Sequence, residues 1–244
     1  GSTQGLNVGF SPGWLVVPAT LAAALCVGVA IGLFNALLVL RFGLTSFIAT
    51  LATYIFFRGA VVAFNGGKGI FGLSPELRSV ATFRVLSTPG LALITIAVFV
   101  VFSFLLRKTP FGRYLYLLGG NPVAPFRAGV PIVKIAVWGF VISGALSGFA
   151  GWLLAARTAG ATANLGVGMI FEAFAAVVIG GVSLKGGVGG LPGVFAGVLL
   201  LTSIRTAINL LGMPPQYTQM IQGGLVLLAM TLDSLKQYVR ARFL

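Results

Sequence analysis

Seven apolar runs, at 14–40, 44–64, 90–106, 133–156, 169–182, 191–211 and 217–232, divide this chain into hydrocarbon-like stretches separated by more polar segments of unequal length. A helix needs about 20 largely apolar residues to cross the core of a bilayer, and most of the runs approach that length. The fifth is shorter and reads as a half-length or re-entrant helix. A chain of 244 residues that is 58% hydrophobic and only 8% charged has too little polar surface to coat a soluble globule. Its solvent is lipid. The predicted fold class is therefore all-α: a polytopic membrane helical bundle with interrupted or re-entrant helices.

In a soluble protein, a net charge of +13 from 16 basic and three acidic residues would point to nucleic acid. Here the basic residues fall mostly between the apolar runs, so no nucleic-acid partner is expected and the positive-inside rule explains them. Alternating the runs across the membrane puts Arg41, the stretch 107–127, Lys185 and the tail residues Lys236, Arg240 and Arg242 on one side, which is then cytoplasmic. Segments 1–13, 65–89, 157–168 and 212–216 fall outside, where Glu76 partly balances Lys68, Arg78 and Arg84. The polar stretch from Gly1 is not a signal peptide, and earlier spans are expected before it. Cys26, the single cysteine, lies in an apolar run and reads as a small packing residue.

Three segments carry more than hydropathy. The stretch 107–132 is a cytoplasmic loop too long for a minimal turn between helices. Tyr114, Leu117 and Leu118 form an apolar edge, Gly119 and Gly120 permit a tight turn, and Asn121 caps a short helix begun by Pro122. Such an exposed, capped helix suits a partner protein, although the same charges also serve to fix topology. In the second segment, 171–197, a short apolar run ends in a glycine-rich turn carrying Lys185, the pattern of an interrupted helix lining an enclosed cavity or packed interface. It is not a phosphate-binding loop, because the G-x-x-x-x-G-K-[ST] spacing is absent. Gly28 with Gly32, Gly144 with Gly148 and Gly193 with Gly197 form small-xxx-small pairs that let helix backbones approach.

In the third segment, 202–233, Arg205 and Asn209 stand four residues apart on one helical face in apolar surroundings. Polar groups at membrane depth are costly and invite a functional reading. Asn35, Arg58 and Glu172 raise the same question. Arg58 and Glu172 could snorkel to an interface, pair with each other or meet a permeating solute.

The runs GRYLYLLGGNPVAPFRAGV (112–130), FEAFAAVVIGGVSLKGGVGGLPGVFAG (171–197) and INLLGMPPQYTQMIQGGLVLLAMTLD (208–233) occur in that order, preceded by GLFNALLVLRFGLTSFIATLATYIFFRGA (32–60). Together they resemble the permease subunits of ribose- and xylose-type ABC importers. The resemblance extends from about Pro18 to the carboxyl end and implies a single transmembrane permease domain over 1–244, without the family's amino-terminal span or spans. It implies a multi-pass protein of the bacterial inner membrane that moves a monosaccharide of the ribose, xylose or galactose class inward. The loop 107–132 would dock into separate ABC ATPase subunits through Arg113, Gly119, Gly120, Asn121, Ala124, Arg127 and Gly129. The chain would hold no cofactor, ATP being bound by the partner. A second permease subunit, in a homo- or heterodimer, would complete a central pathway within membrane lipid, and an extracytoplasmic sugar-binding protein would deliver solute.

Related permeases for nucleosides, branched-chain amino acids or an autoinducer share glycine-rich turns, but SLKGGVGG followed by INLLG is closer to the sugar branch. A passive channel could use a re-entrant turn as a filter, but has no need of a long docking loop. An assembly protein would leave that loop unexplained. An intramembrane enzyme would need converging acid–base or nucleophilic groups, and the sequence offers no histidine, one cysteine and three scattered acids. Candidates for the translocation pathway are Asn35, Thr45, Phe47, Asn65, Glu172, Phe174 and Asn209, hydrogen-bonding or ring-stacking types within or near the ends of the spans.

Overall fold

The apolar runs are helices in the computed structural model, which describes residues 15–85, 88–120, 131–183 and 186–212 with scattered positions from 214 to 231. The helices are α1 (Val16–Phe42), α2 (Ser46–Asn65), α3 (Pro75–Thr82), α4 (Gly90–Lys108), α5 (Pro110–Gly120), α6 (Ile132–Thr158), α7 (Met169–Ile179) and α8 (Leu191–Leu210). Five of them, α1, α2, α4, α6 and α8, are long and apolar enough to cross a membrane. At 11 residues, α7 rises roughly 16 Å against a core of about 30 Å, the half-length helix expected of the fifth run. The seventh run lies mostly outside the described residues, and its described positions are helical.

The loop 65–89 holds structure that hydropathy does not show. Ser74 precedes Pro75 at the first turn of α3, with Glu76 beside it, a helix-start pattern in which proline gives up no hydrogen bond and the acid faces the positive end of the helix. Two antiparallel pairs of two-residue strands flank it: β1 (Ile70–Phe71) with β4 (Gly160–Ala161), and β2 (Arg84–Val85) with β3 (Thr88–Pro89). The β1–β4 pairing joins two segments that the charge pattern independently places outside the membrane.

The chain packs as two compact units. One comprises the residues up to Ile94 and Ala136–Leu165, the other Thr95–Ile135 and the residues from Gly166 onward. In the first, α1 crosses α6 on glycine. A Cβ on Gly28 would lie 2.3 Å from the carbonyl oxygen of Gly144, one on Gly32 2.5 Å from that of Phe140, and one on Gly148 2.4 Å from that of Ala24. Two of the small-xxx-small pairs are thus each other's partner. Toward the start of α1, Leu77 of α3 is buried with Trp152 and Ala156 of α6, and the Trp152 indole N–H donates to Thr20 Oγ1 at 3.1 Å. That bond satisfies the one polar atom of a ring that is otherwise buried apolar surface.

In the second unit α7 packs on α8 through the third glycine pair. A Cβ on Gly193 would lie 2.2 Å from the carbonyl oxygen of Gly180, and one on Gly197 2.3 Å from that of Ala176. Ala175, Ala176 and Leu201 form the buried cluster beside it. Elsewhere large side chains such as Ile55, Phe56, Val100 and Phe104 are exposed, as lipid-facing surfaces require.

Candidate functional site

The end of α5 meets the glycine-rich turn between α7 and α8. A Cβ on Gly119 would lie 2.4 Å from the backbone nitrogen of Gly187, and one on Gly187 would lie 2.6 Å from Cα of Gly120. Gly186 and Gly187 have φ values of 90° and 76°, a left-handed backbone that other residues adopt at a cost of about 1–2 kcal/mol. Glycine is needed here twice, for conformation and for closeness. The turn is closed by Ser183 N–H to the Val188 carbonyl at 2.9 Å and Gly186 N–H to the Ser183 carbonyl at 3.0 Å. Across the seam the Tyr116 hydroxyl donates to the Gly189 carbonyl at 3.0 Å.

Gly119 and Gly120 are therefore not the tight turn that their sequence permits. They are the last residues of α5, kept helical and side-chain-free so that the turn can lie against them. Beside the contact is a cavity of about 380 Å³, lined mainly by apolar side chains of α4, α5, α7 and α8 and by the glycines of the turn. The outward face of α5 carries Arg113, Tyr114, Leu117 and Gly120, all exposed. Asn121, Ala124, Arg127 and Gly129 lie outside the described residues.

A second feature of the same unit sits near the other end of α8. Nη1 of Arg205 donates to both carboxylate oxygens of Glu172 at 3.2 and 3.3 Å. Arg205 lies five residues, roughly 8 Å, before the end of α8 at Leu210. The pair is not buried: the two side chains are 52% and 34% exposed. Thr202, Thr206 and Asn209 are exposed as well, so that with Arg205 they make a polar stripe at helical spacing along a membrane-spanning helix. Such a stripe cannot face acyl chains cheaply. Phe174, half-buried, stands two residues from Glu172 on α7.

The candidates in the first unit are Asn35, Thr45, Phe47 and Asn65. Thr45 precedes the first turn of α2, and its carbonyl accepts from Ala49 N–H at 3.0 Å. Asn65 closes the far end of α2 by donating from its side-chain amide to the Lys68 carbonyl. Phe47 is exposed, and Asn35 is buried in α1 with Oδ1 lacking a hydrogen-bond partner among the described residues. Arg58 and Glu172, a pair the sequence offered, each have a partner within their own unit: Arg58 Nη2 donates to Asn164 Oδ1 at 3.2 Å, and Glu172 holds Arg205.

Residues 3–230 match the family described as branched-chain amino acid transport system / permease component. The chain belongs to that family. Among curated relatives, this permease is 36% identical over 222 residues to the L-arabinose ABC transporter permease protein of Azospirillum brasilense, covering 90% of this chain and 65% of the relative. It is 36% identical over 204 residues to the ribose import permease protein of Bacillus subtilis, covering 83% and 63%. It is also 36% identical over 232 residues to the galactose/methyl galactoside import permease protein of Haemophilus influenzae, covering 92% and 69%. The chain thus spans about two thirds of the length of these relatives. No solved structure matches it.

Family membership and five long apolar helices make this a multi-pass inner-membrane protein. Within the permease, sequence reasoning missed Gly186 and Gly187 as the partners of Gly119 and Gly120, Tyr116 as the hydroxyl that ties them, and Thr202 and Thr206 as members of the stripe. Threonines at 202 and 206, one helical turn apart and in register with Arg205 and Asn209, were the available signal for the last of these.

Proposed function

We propose that the chain is the membrane-spanning permease subunit of an ABC importer that carries a monosaccharide inward. The observation that carries this reading is the seam between Gly119–Gly120 and Gly186–Gly187. A segment expected to dock with an ATPase is continuous with a helix end that lies directly on the turn interrupting two membrane helices. A push on the loop after Gly120 reaches α7 and α8 through backbone contact, with no flexible side chain between to absorb it, and the adjoining cavity gives the turn room to move. A passive pore has no use for such a joint.

In this reading ATPase subunits engage the exposed face of α5 at Arg113 and the segment that follows through Asn121, Ala124, Arg127 and Gly129. ATP stays on those partners, and a binding protein delivers sugar at the outer face. A second permease subunit completes the path. The polar stripe of α8, with Glu172, faces that path: a neutralised ion pair, two hydroxyls and an amide can exchange hydrogen bonds with a polyhydroxy solute without selecting for charge. The sugar class rests on the names of the relatives, which span arabinose, ribose and galactose at the same identity. The individual sugar is therefore a matter for experiment.

The test is reconstitution in lipid discs with the cognate ATPase and binding protein, reading ATP hydrolysis with each sugar in turn. Stimulation by one sugar-loaded binding protein, lost in Gly119→Val but retained in Ile55→Ala, a control at an exposed position of α2 in the other unit, is the expected result. Failure to associate with any ATPase would overturn the reading.

A further inference from the structure

The cytoplasmic end of α4 forms, with the start of α8, a groove that the transport reading does not use. It encloses about 330 Å³ and is walled by Ile96, Phe99, Val100 and Phe104 of α4 and by Phe195 of α8, with Phe99 and Phe195 in edge-to-face contact at 5.1 Å between centroids. At one end stand Arg107 and Lys108, both exposed. Arg107 leans over the beginning of α8, where a Cβ on Gly190 would lie 4.0 Å from its Nη2.

We propose that this groove seats one anionic phospholipid of the cytoplasmic leaflet, its phosphate on Arg107 and Lys108 and an acyl chain along Ile96, Val100 and Phe195. Length is the first argument. From Ile96 to Lys108 α4 rises roughly 18 Å, about one leaflet of a hydrocarbon core some 30 Å thick plus the start of the headgroup layer. A packing helix from another chain would call for a surface running through both leaflets, whereas this groove ends near the midplane.

Charge is the second argument. The two cations lie on the side that the positive-inside pattern makes cytoplasmic, at headgroup depth, and neither has an acidic partner among the described residues. Glu172 is engaged by Arg205, and Glu76 belongs to α3 in an outer loop. Adjacent cations without an acidic partner among the described residues, set above an apolar slot, attract a lipid phosphate, each contributing on the order of 1 kcal/mol near an anionic surface. A zwitterionic headgroup brings its own cation and gains less.

Native mass spectrometry of the purified full chain, delipidated and then titrated separately with phosphatidylglycerol and phosphatidylcholine, tests the proposal. The expected result is preferential retention of phosphatidylglycerol, falling by about fivefold for each cation removed in Arg107→Gln and Arg107→Gln/Lys108→Gln. Val100→Trp fills the slot, leaves both charges in place, and should lower retention as well. Arg41→Gln removes a cytoplasmic-end cation outside the groove and should leave retention unchanged. Arg113, Arg127 and Lys134 remain in the double variant to hold its topology. On the unsubstituted chain, which needs no variant to fold, retention should fall as salt is raised. Equal retention of the two lipids, insensitivity to salt, or equal losses in Arg41→Gln and the double variant would each overturn the proposal. So would efficient disulfide cross-linking between copies through Val100→Cys in a Cys26→Ala background, which would give the groove to a second copy of the chain.

Discussion

Two glycine contacts in this permease look alike in sequence and do different work. Where α1 crosses α6, Gly28, Gly32, Gly144 and Gly148 are all helical, and each lies against the backbone of the other helix. Where α5 meets the turn before α8, only one partner is helical, while Gly186 and Gly187 hold positive φ. The first contact repeats along two rigid rods and gains from every turn of helix, as small-residue crossings in lipid do. The second is a single point between a rod and a turn. A crossing of the first kind fixes geometry, and a joint of the second kind can transmit a displacement.

The largest effect expected from breaking this comparison is at the crossing. A Cβ on Gly144 would lie 2.2 Å from the Gly28 carbonyl oxygen and 3.0 Å from Cα of Gly32. Neither atom can rotate away, so Gly144→Leu must separate the helices and lose the packing that joins them. We expect loss of monodisperse protein on size-exclusion chromatography, with Gly151→Leu, whose Cβ meets nothing within 4 Å, as the tolerated control in the same helix.

At the joint the expected effect is smaller in stability and larger in function. Gly187→Ala adds a strained φ costing about 1–2 kcal/mol and a clash with Gly120, so the turn should shift off α5 while α7 and α8 remain packed through Gly180, Gly193 and Gly197. A shift of that energy corresponds to roughly tenfold in an equilibrium. We expect binding-protein-stimulated ATP hydrolysis to fall by about that factor with basal hydrolysis and elution volume unchanged. Equal loss of both rates would make the seam a structural crossing like the first.

Much of this was legible in the sequence, and the reason differs by residue. The spans follow from run length, and the half-length α7 from a run of 14 residues at 169–182 ended by glycine. The small-xxx-small pairs announce close crossings, but spacing cannot say which pair faces which, because contact partners such as Gly28 and Gly144 are far apart in the chain. Polar residues at span ends are ambiguous in a further way. Thr45 and Asn65 both have the composition of pathway residues, but only the Asn65 side chain is spent on closing α2, the bond at Thr45 being one of its backbone carbonyl. Glu172 stood out as one of only three acids, but the sequence offered it Arg58 as a partner rather than Arg205, which holds it, because hydropathy does not say which helix faces which.

The polar stripe extends the comparison to function without backbone strain. Glu172→Gln leaves Arg205 without its counter-charge, and in the proposed reading the stripe faces an aqueous path, where screening keeps the cost to stability small. If the stripe faces the solute path, an unbalanced guanidinium alters transport more than folding. We expect sugar uptake into proteoliposomes to fall several-fold, on the order of the 1 kcal/mol that an exposed pair is worth, with stimulated ATP hydrolysis largely kept. Exchanging the two residues, Glu172→Arg with Arg205→Glu, should recover part of the uptake.

The smallest effect belongs to Arg58 and Asn164, where one exposed hydrogen bond of 3.2 Å ties α2 to the loop after β4. A hydrogen bond of this kind contributes about 1 kcal/mol or less net, and Arg58 can snorkel to the interface without it. Asn164→Ala should lower the thermal midpoint of the detergent-solubilised permease by no more than a few degrees and leave uptake unchanged. Because the bond lies in the same unit as the α1–α6 crossing, combining Asn164→Ala with the milder Gly148→Ala separates two accounts of that unit. Additive losses in midpoint mean that the loop after β4 and the crossing are held independently. A larger combined loss means that the loop is part of what keeps α1 and α6 together.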